Sequence, residues 1–186
     1  AFAAFEKSGS ALLYRRAIRL DPGLRYADNH LGYLYLARRR LRRAQREFAR
    51  ILKVDPTHAG AWLGRGDIAL ARRDHDKALS YYMKSERLCR RQKAFRSWTK
   101  SALLGQLQSL VKMGRDKAAR ALCERLKKSL ALSPDVYFWS GVLSERAGDY
   151  QRAAHYFQDA IRLGYEGREP LERLSKISCF LGSKDD

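Results

Sequence analysis

Apolar positions along the chain recur at helical spacing, in pairs of short blocks. In RYADNHLGYLYLARRRLRRAQREFARILKVDP, Leu31, Leu34 and Tyr35 fall on one face of a first helix, and Ala44, Phe48, Ile51 and Leu52 on one face of a second. The Asp55–Pro56 pair stops the second helix, because proline cannot continue it and disfavours the helical conformation of the residue before it. Every periodic segment has this spacing, with turn residues only between the arms, which predicts an all-helical chain without strands.

The pair of helices repeats. Pro22 and Pro56, Gly32 and Gly66, Ala44 and Ala78, and Phe48 and Tyr82 all stand one common interval apart, about 34 residues. Gly114 and Gly148, Ala119 and Ala153, Cys123 and Phe157, and Leu126 and Ala160 share the same interval. Between the two sets, from Ala78 to Ala119, the chain runs one period plus seven further positions. A two-helix hairpin cannot cover its own apolar faces and must stack on neighbours. Small residues such as Gly32 and Ala44 let the two helices approach closely.

On these positions the chain resembles tetratricopeptide repeat proteins. Leu31, Gly32, Tyr35, Ala44, Phe48 and Pro56 carry the pattern in one repeat, Trp62, Gly66, Ala69, Ala78, Tyr82 and Ser85 in the next, and Gly141, Gly148, Tyr150, Ala153, Phe157 and Ala160 in the last. The resemblance implies an all-α, right-handed solenoid of about four stacked antiparallel hairpins. Its expected divisions are a partial repeat at 1–24, repeats at 25–58 and 59–92, an insertion at 93–99, a divergent repeat at 100–133, a repeat at 134–167, and a capping helix with tail at 168–186. In the divergent repeat, Leu104-Gly105 stands two residues out of step with Gly114 and Ala119, so a longer turn or shifted helix is expected. The insertion amounts to about two helical turns at roughly 3.6 residues each. It is expected to lengthen the helix ending near Cys89 or the one beginning near Lys100, with Phe95 and Trp98 packing on neighbouring repeats or projecting as a rim anchor for a partner.

The resemblance also implies a non-catalytic scaffold that binds a peptide or partner domain in a concave groove lined by the first helices. Tyr26, Asn29, Tyr33, Leu36, Leu63, Asp67, Gln108, Phe138 and Glu145 are the expected lining. Some relatives clamp a C-terminal carboxylate with Lys, Asn, Asn, Lys and Arg. Here the corresponding Asn29, Tyr33, Gly64, Ser101 and Gly105 supply one asparagine, so chaperone-tail binding is not expected. Arrays of this kind often serve bacterial envelope and secretion assemblies, and the arginine-rich composition with a single asparagine suits a GC-rich bacterium.

Charge adds a second surface. Lysine and arginine exceed aspartate and glutamate by 38 to 20, a net +18, which points to an acidic partner or a polyanion. With Ala44, Phe48 and Ile51 facing inward, Arg42, Arg43, Arg46 and Arg50 face outward, and Lys53, Lys84 and Arg87 extend the basic ladder along later second helices. Arg16, Arg19, Arg125, Lys128 and Arg162 continue it. One reading is a solvated face whose long stems cover apolar surface. The alternative is contact with nucleic acid or an acidic polysaccharide, against which stands the lack of aromatics interleaved with these arginines.

Candidate chemistry changes little. His30, His58, His75 and His155 lack metal-ligand spacing, Ser97 to Lys100 fits S-x-x-K without its companion elements, and no phosphate loop is present. No catalytic residue, metal or cofactor is expected. Cys89, Cys123 and Cys179 read as buried small apolar residues. No apolar run reaches the roughly 20 residues that span a bilayer. The chain begins without methionine in mid-pattern and is expected to be a fragment; its compartment is left open.

Overall fold

The computed structural model describes Arg16, Leu20 and residues 25–92, 98–129 and 133–182. Among these there are nine helices and no strand: α1 (Arg25–Ala37), α2 (Leu41–Val54), α3 (Ala59–Ala71), α4 (His75–Arg91), α5 (Thr99–Lys112), α6 (Asp116–Ser129), α7 (Pro134–Arg146), α8 (Tyr150–Arg162) and α9 (Glu169–Gly182). The fold class is all-α, as the periodicity predicts. The side chain of Tyr26, Phe95 and most of the leading partial repeat lie outside the described residues.

The chain divides into two compact units, Ala1–Ser109 and Leu110–Asp186. In the first, α1 pairs with α2 and α3 with α4, while α3 also packs on α1 and α2. In the second, α7 pairs with α8, α6 packs on α7, and α9 covers α8.

Rings seated on bare backbone build both cores. In the first unit the buried Phe48 ring lies against Gly32 and Gly64; a Cβ at Gly32 would stand 2.6 Å from it. The Tyr82 ring fills the same role one hairpin later, with Gly66 at 2.5 Å and Gly105 at 2.6 Å by the same measure. In the second unit Phe157 lies on Gly141, at 2.6 Å. Real Cβ atoms do not approach so closely, so a side chain at any of these glycines must push the ring out of a packed interior.

This pattern corrects the expectation for the divergent repeat. Gly105 stands as far before Ala119 as Gly64 does before Ala78, and like Gly64 it receives the ring of the preceding hairpin. Against the preceding hairpin α5 is not shifted. The position of Gly32 and Gly66 belongs to Leu107, and that of Phe48 and Tyr82 to Cys123, both buried. Here the first helix carries the bulk and the second the small residue. The turn after α5 is not longer either: three residues separate α5 from α6, as they separate α1 from α2, α3 from α4 and α7 from α8.

These turns share one geometry. The amides of Arg40, Asp74, Arg115, Asp149 and Tyr165 each donate to the carbonyl five residues back, at 2.8–3.0 Å. The residue before each donor is left-handed: Arg39 (φ 53°), Arg73 (φ 61°), Gly114 (φ 70°), Gly148 (φ 79°) and Gly164 (φ 83°). This closure satisfies carbonyls that a helix end would otherwise leave open. Asp74 and Asp149 then cap the following helices, accepting from the Lys77 and Arg152 amides at 3.2 and 3.0 Å.

Around the insertion, α4 continues two residues past Cys89 and α5 starts at Thr99. Cys89 and Cys123 are buried as expected, whereas Cys179 is exposed.

Candidate interaction surfaces

The first helices carry the residues expected to line a groove, and the structure divides them. Leu63 is buried at 5% exposure in a cluster with Ala69, Ala78, Tyr82 and Ala102. Asn29 is buried, and its Oδ1 accepts no hydrogen bond among the described residues. Phe138 is also buried, packed on Trp139, Phe157 and Tyr165 with ring centroids 5.0, 6.0 and 4.6 Å away. These three are core residues, not open lining, because the stripe that faces the second helix is wider than three apolar positions suggest.

Tyr33, Leu36, Asp67 and Gln108 are half-buried in the first unit. Tyr33 meets Phe48 edge-on at 5.2 Å and donates from its hydroxyl to the Gly60 carbonyl at 3.3 Å, and burial pushes that hydroxyl's pKa well up. Asp67 accepts from the Tyr82 hydroxyl at 2.7 Å. Burial raises the Asp67 carboxyl to about 6, outweighing the lowering effect of that bond. In the second unit Glu145 is held by Arg173 of the covering helix α9.

Trp98 packs inward. A Cβ at Gly60 would stand 2.6 Å from its indole, the His58 ring lies 5.5 Å away, and Leu88 and Cys89 complete the surroundings. His58 itself caps α3, its Nδ1 accepting from the Ala61 amide at 3.1 Å. Trp98 is thus half-buried, with its indole packed against the neighbouring hairpin.

The basic face is exposed throughout: Arg42, Arg43, Arg46, Arg50, Lys53, Lys84 and Arg87 all reach solvent. Part of it is tethered. Arg50 pairs with Glu47 at 3.2 Å, and the Lys84 ammonium sits 3.7 Å from the centroid of Trp62. Arg65 lies over both Trp62 and Tyr81, at 5.2 and 4.7 Å. Aromatics thus do stand among the cations, which the sequence reading missed. The available signal was the three-residue spacing of Trp62–Arg65 and Tyr81–Lys84 on paired helices.

Beside this face, at the α1–α2 turn, an open cleft of about 540 Å³ is lined by Arg39, Arg40, Leu41, Arg42, Arg43, Arg46 and Arg72. Elsewhere, among the described residues, no group of three or more histidine, cysteine or acidic residues could hold a metal ion, and no helix is long and apolar enough to cross a membrane.

Comparison with known proteins fits this architecture. Over 82 residues the chain is 32% identical to a probable biofilm formation methyltransferase, WspC, of Pseudomonas putida; the match spans 44% of this chain but only 19% of that protein. A stretch so short does not carry the relative's methyltransferase activity over. Among solved structures, the Cut9–Hcn1 hetero-tetramer of APC/C aligns over 98% of this chain and 35% of its own, with a TM-score of 0.82 and 21% identity. YrrB, described as a tetratricopeptide repeat protein with an unusual peptide-binding site, aligns over 91% and 84% with a TM-score of 0.65 and 15% identity. At such identities the likeness is one of fold. A tetratricopeptide repeat family model matches residues 29–90 and 104–167, which takes in both units and most of the length, and the chain therefore belongs to the tetratricopeptide repeat family.

Proposed function

We propose that this protein docks a peptide or partner domain on the first-helix face of its repeats, in a bacterial envelope or secretion assembly. The tetratricopeptide fold is in general a protein-interaction scaffold. The finer reading rests on one observation: in the first unit, α1 and α3 lie side by side, and Tyr33, Leu36, Asp67 and Leu70 stay half-buried on them, each packed on or bonded to the core beneath and still reaching solvent. Partly exposed aromatic and aliphatic groups beside a fixed carboxylate give a partner both apolar area and one oriented polar contact. The arginine-rich, asparagine-poor composition suits the bacterial setting.

A photo-crosslinking residue at Leu36 or Leu70, with one at Arg87 as control, tests the proposal. Crosslinks to one partner should form from the two first-helix positions and not from Arg87. With that partner purified, Leu36→Glu and Leu70→Glu should weaken binding at an unchanged melting midpoint. Crosslinks from Arg87 alone would overturn the reading.

A further inference from the structure

We infer that the arginine cleft at the α1–α2 turn docks an acidic, aspartate- and glutamate-rich segment of a partner protein, an inference that rests on the scaffold reading and adds a second contact to it. Six guanidinium groups converge there from two hairpins. Arg39 and Arg40 come from the turn, Arg42, Arg43 and Arg46 from the start of α2, and Arg72 from the end of α3. Among the described residues, Leu41 is the one lining residue of another type, and no carboxylate lines the cleft.

Among the described residues no ion pair neutralises this positive charge. Among the described residues, no carboxylate lies within ion-pair distance of Arg39, Arg40, Arg42, Arg43 or Arg46. Glu47, the acidic residue of α2, is engaged with Arg50 at 3.2 Å. Arg72 donates to a neutral oxygen, Gln45 Oε1, at 2.8 Å. Like charges gathered without counter-ions repel, and an external anion that enters the cleft relieves that repulsion while gaining forked, charge-assisted hydrogen bonds.

The lining also selects among anions. Single-stranded nucleic acid needs exposed rings for its bases to stack on. Among the described residues no ring lines the cleft, and Tyr35, beneath Arg43 at 5.9 Å, is only 2% exposed. No lining side chain can accept a hydrogen bond from a base edge. What remains is a set of donors for anionic oxygens; a single strand would be held there without stacking, and on a fold that binds proteins the carboxylates of an acidic segment are the anions this lining serves best.

The test uses the whole chain and three fluorescein-labelled probes of equal length: an alternating Glu-Asp peptide, a Gln-Asn peptide and a single-stranded oligonucleotide. Anisotropy should show binding of the acidic peptide and none of the neutral one. The triple variant Arg42→Ser, Arg43→Ser, Arg46→Ser should weaken acidic-peptide binding at least about tenfold. The charge-matched control Lys117→Ser, Arg125→Ser, Lys128→Ser should leave it within about twofold. Equal losses in the two triples, or tighter binding of the oligonucleotide that the cleft triple abolishes, would overturn the inference. Leu36→Glu should leave acidic-peptide binding intact, so a failure of the first-helix site is read separately from a failure of the cleft.

Discussion

The hairpins α3–α4 and α7–α8 have one geometry and two chemistries. Gly66 and Gly141, Ala78 and Ala153, and the capping Asp74 and Asp149 occupy matching positions, and each hairpin seats one ring on its glycine. At three other positions the difference is informative. Where the first has Asp67 bonded to the Tyr82 hydroxyl, the second has the buried pair Val142 and Phe157. Where the first turns through Arg73, the second turns through Gly148. The shared positions are the caps and those where backbone meets ring, and once a hairpin carries a ring on its second helix, steric contact requires the glycine opposite it. The differing positions are compatible with either solution, at a cost: a left-handed non-glycine residue carries a penalty of roughly 1–2 kcal/mol, and a largely desolvated carboxyl such as the half-buried Asp67 must be paired or protonated.

The largest effect should come from attacking what the two hairpins share. Gly66→Leu and Gly141→Leu should each destabilise by about 3 kcal/mol, because the rings of Tyr82 and Phe157 have no room to retreat. Urea unfolding midpoints measure this, and tolerance in one hairpin alone would break the comparison.

Smaller, and confined to the first hairpin, is a pH dependence. The Asp67 carboxyl is raised to about 6 in the folded chain, against an ordinary value of 3.8. A carboxyl with a raised folded pKa binds its proton more tightly when folded, so its contribution to stability is full below about 4 and is lost as the pH rises through 6. Asp67→Asn keeps an acceptor for Tyr82 and removes the titration. Melting at pH 5 and pH 7.5 should show a smaller drop over that interval for the variant than for the parent, and equal drops would remove the case for a buried carboxyl.

Next in size are the turns. Arg73→Gly should stabilise, and Gly148→Arg destabilise, each by about 1 kcal/mol, since the two exchanges relieve and impose the same left-handed strain. Calorimetric midpoints that move in the same direction for both would contradict the shared turn geometry. The smallest effect is at the surface: Arg43→Ala and Arg46→Ala should stay within about 0.5 kcal/mol.

The hairpins were legible in the sequence because their evidence is periodic: Gly32, Ala44 and Phe48 are answered one period later by Gly66, Ala78 and Tyr82 at the same spacing. The outward direction of the second-helix arginines followed from the same register. Gly105 misled because the repeat has two glycine positions, one serving the ring of its own hairpin and one the ring of the preceding hairpin; the neighbouring contact is not written in the repeat where the glycine stands. Leu63, Phe138 and Asn29 were read as groove lining because helical spacing gives direction but not the width of the buried stripe. The arginine cleft was half visible. Six of its seven lining residues lie in one run, Arg39 to Arg46, but Arg72 joins them from the end of the next repeat's first helix, and only packing brings it there.

The scaffold account is tested most directly by hydrogen exchange on the whole chain, free and saturated with the partner recovered from the Leu36 and Leu70 crosslinks. Exchange should slow in peptides covering Asn29–Leu36 and Leu63–Leu70, with little change in those covering Lys84–Arg91. Protection confined to Lys84–Arg91, with α1 and α3 exchanging as in the free chain, would contradict it.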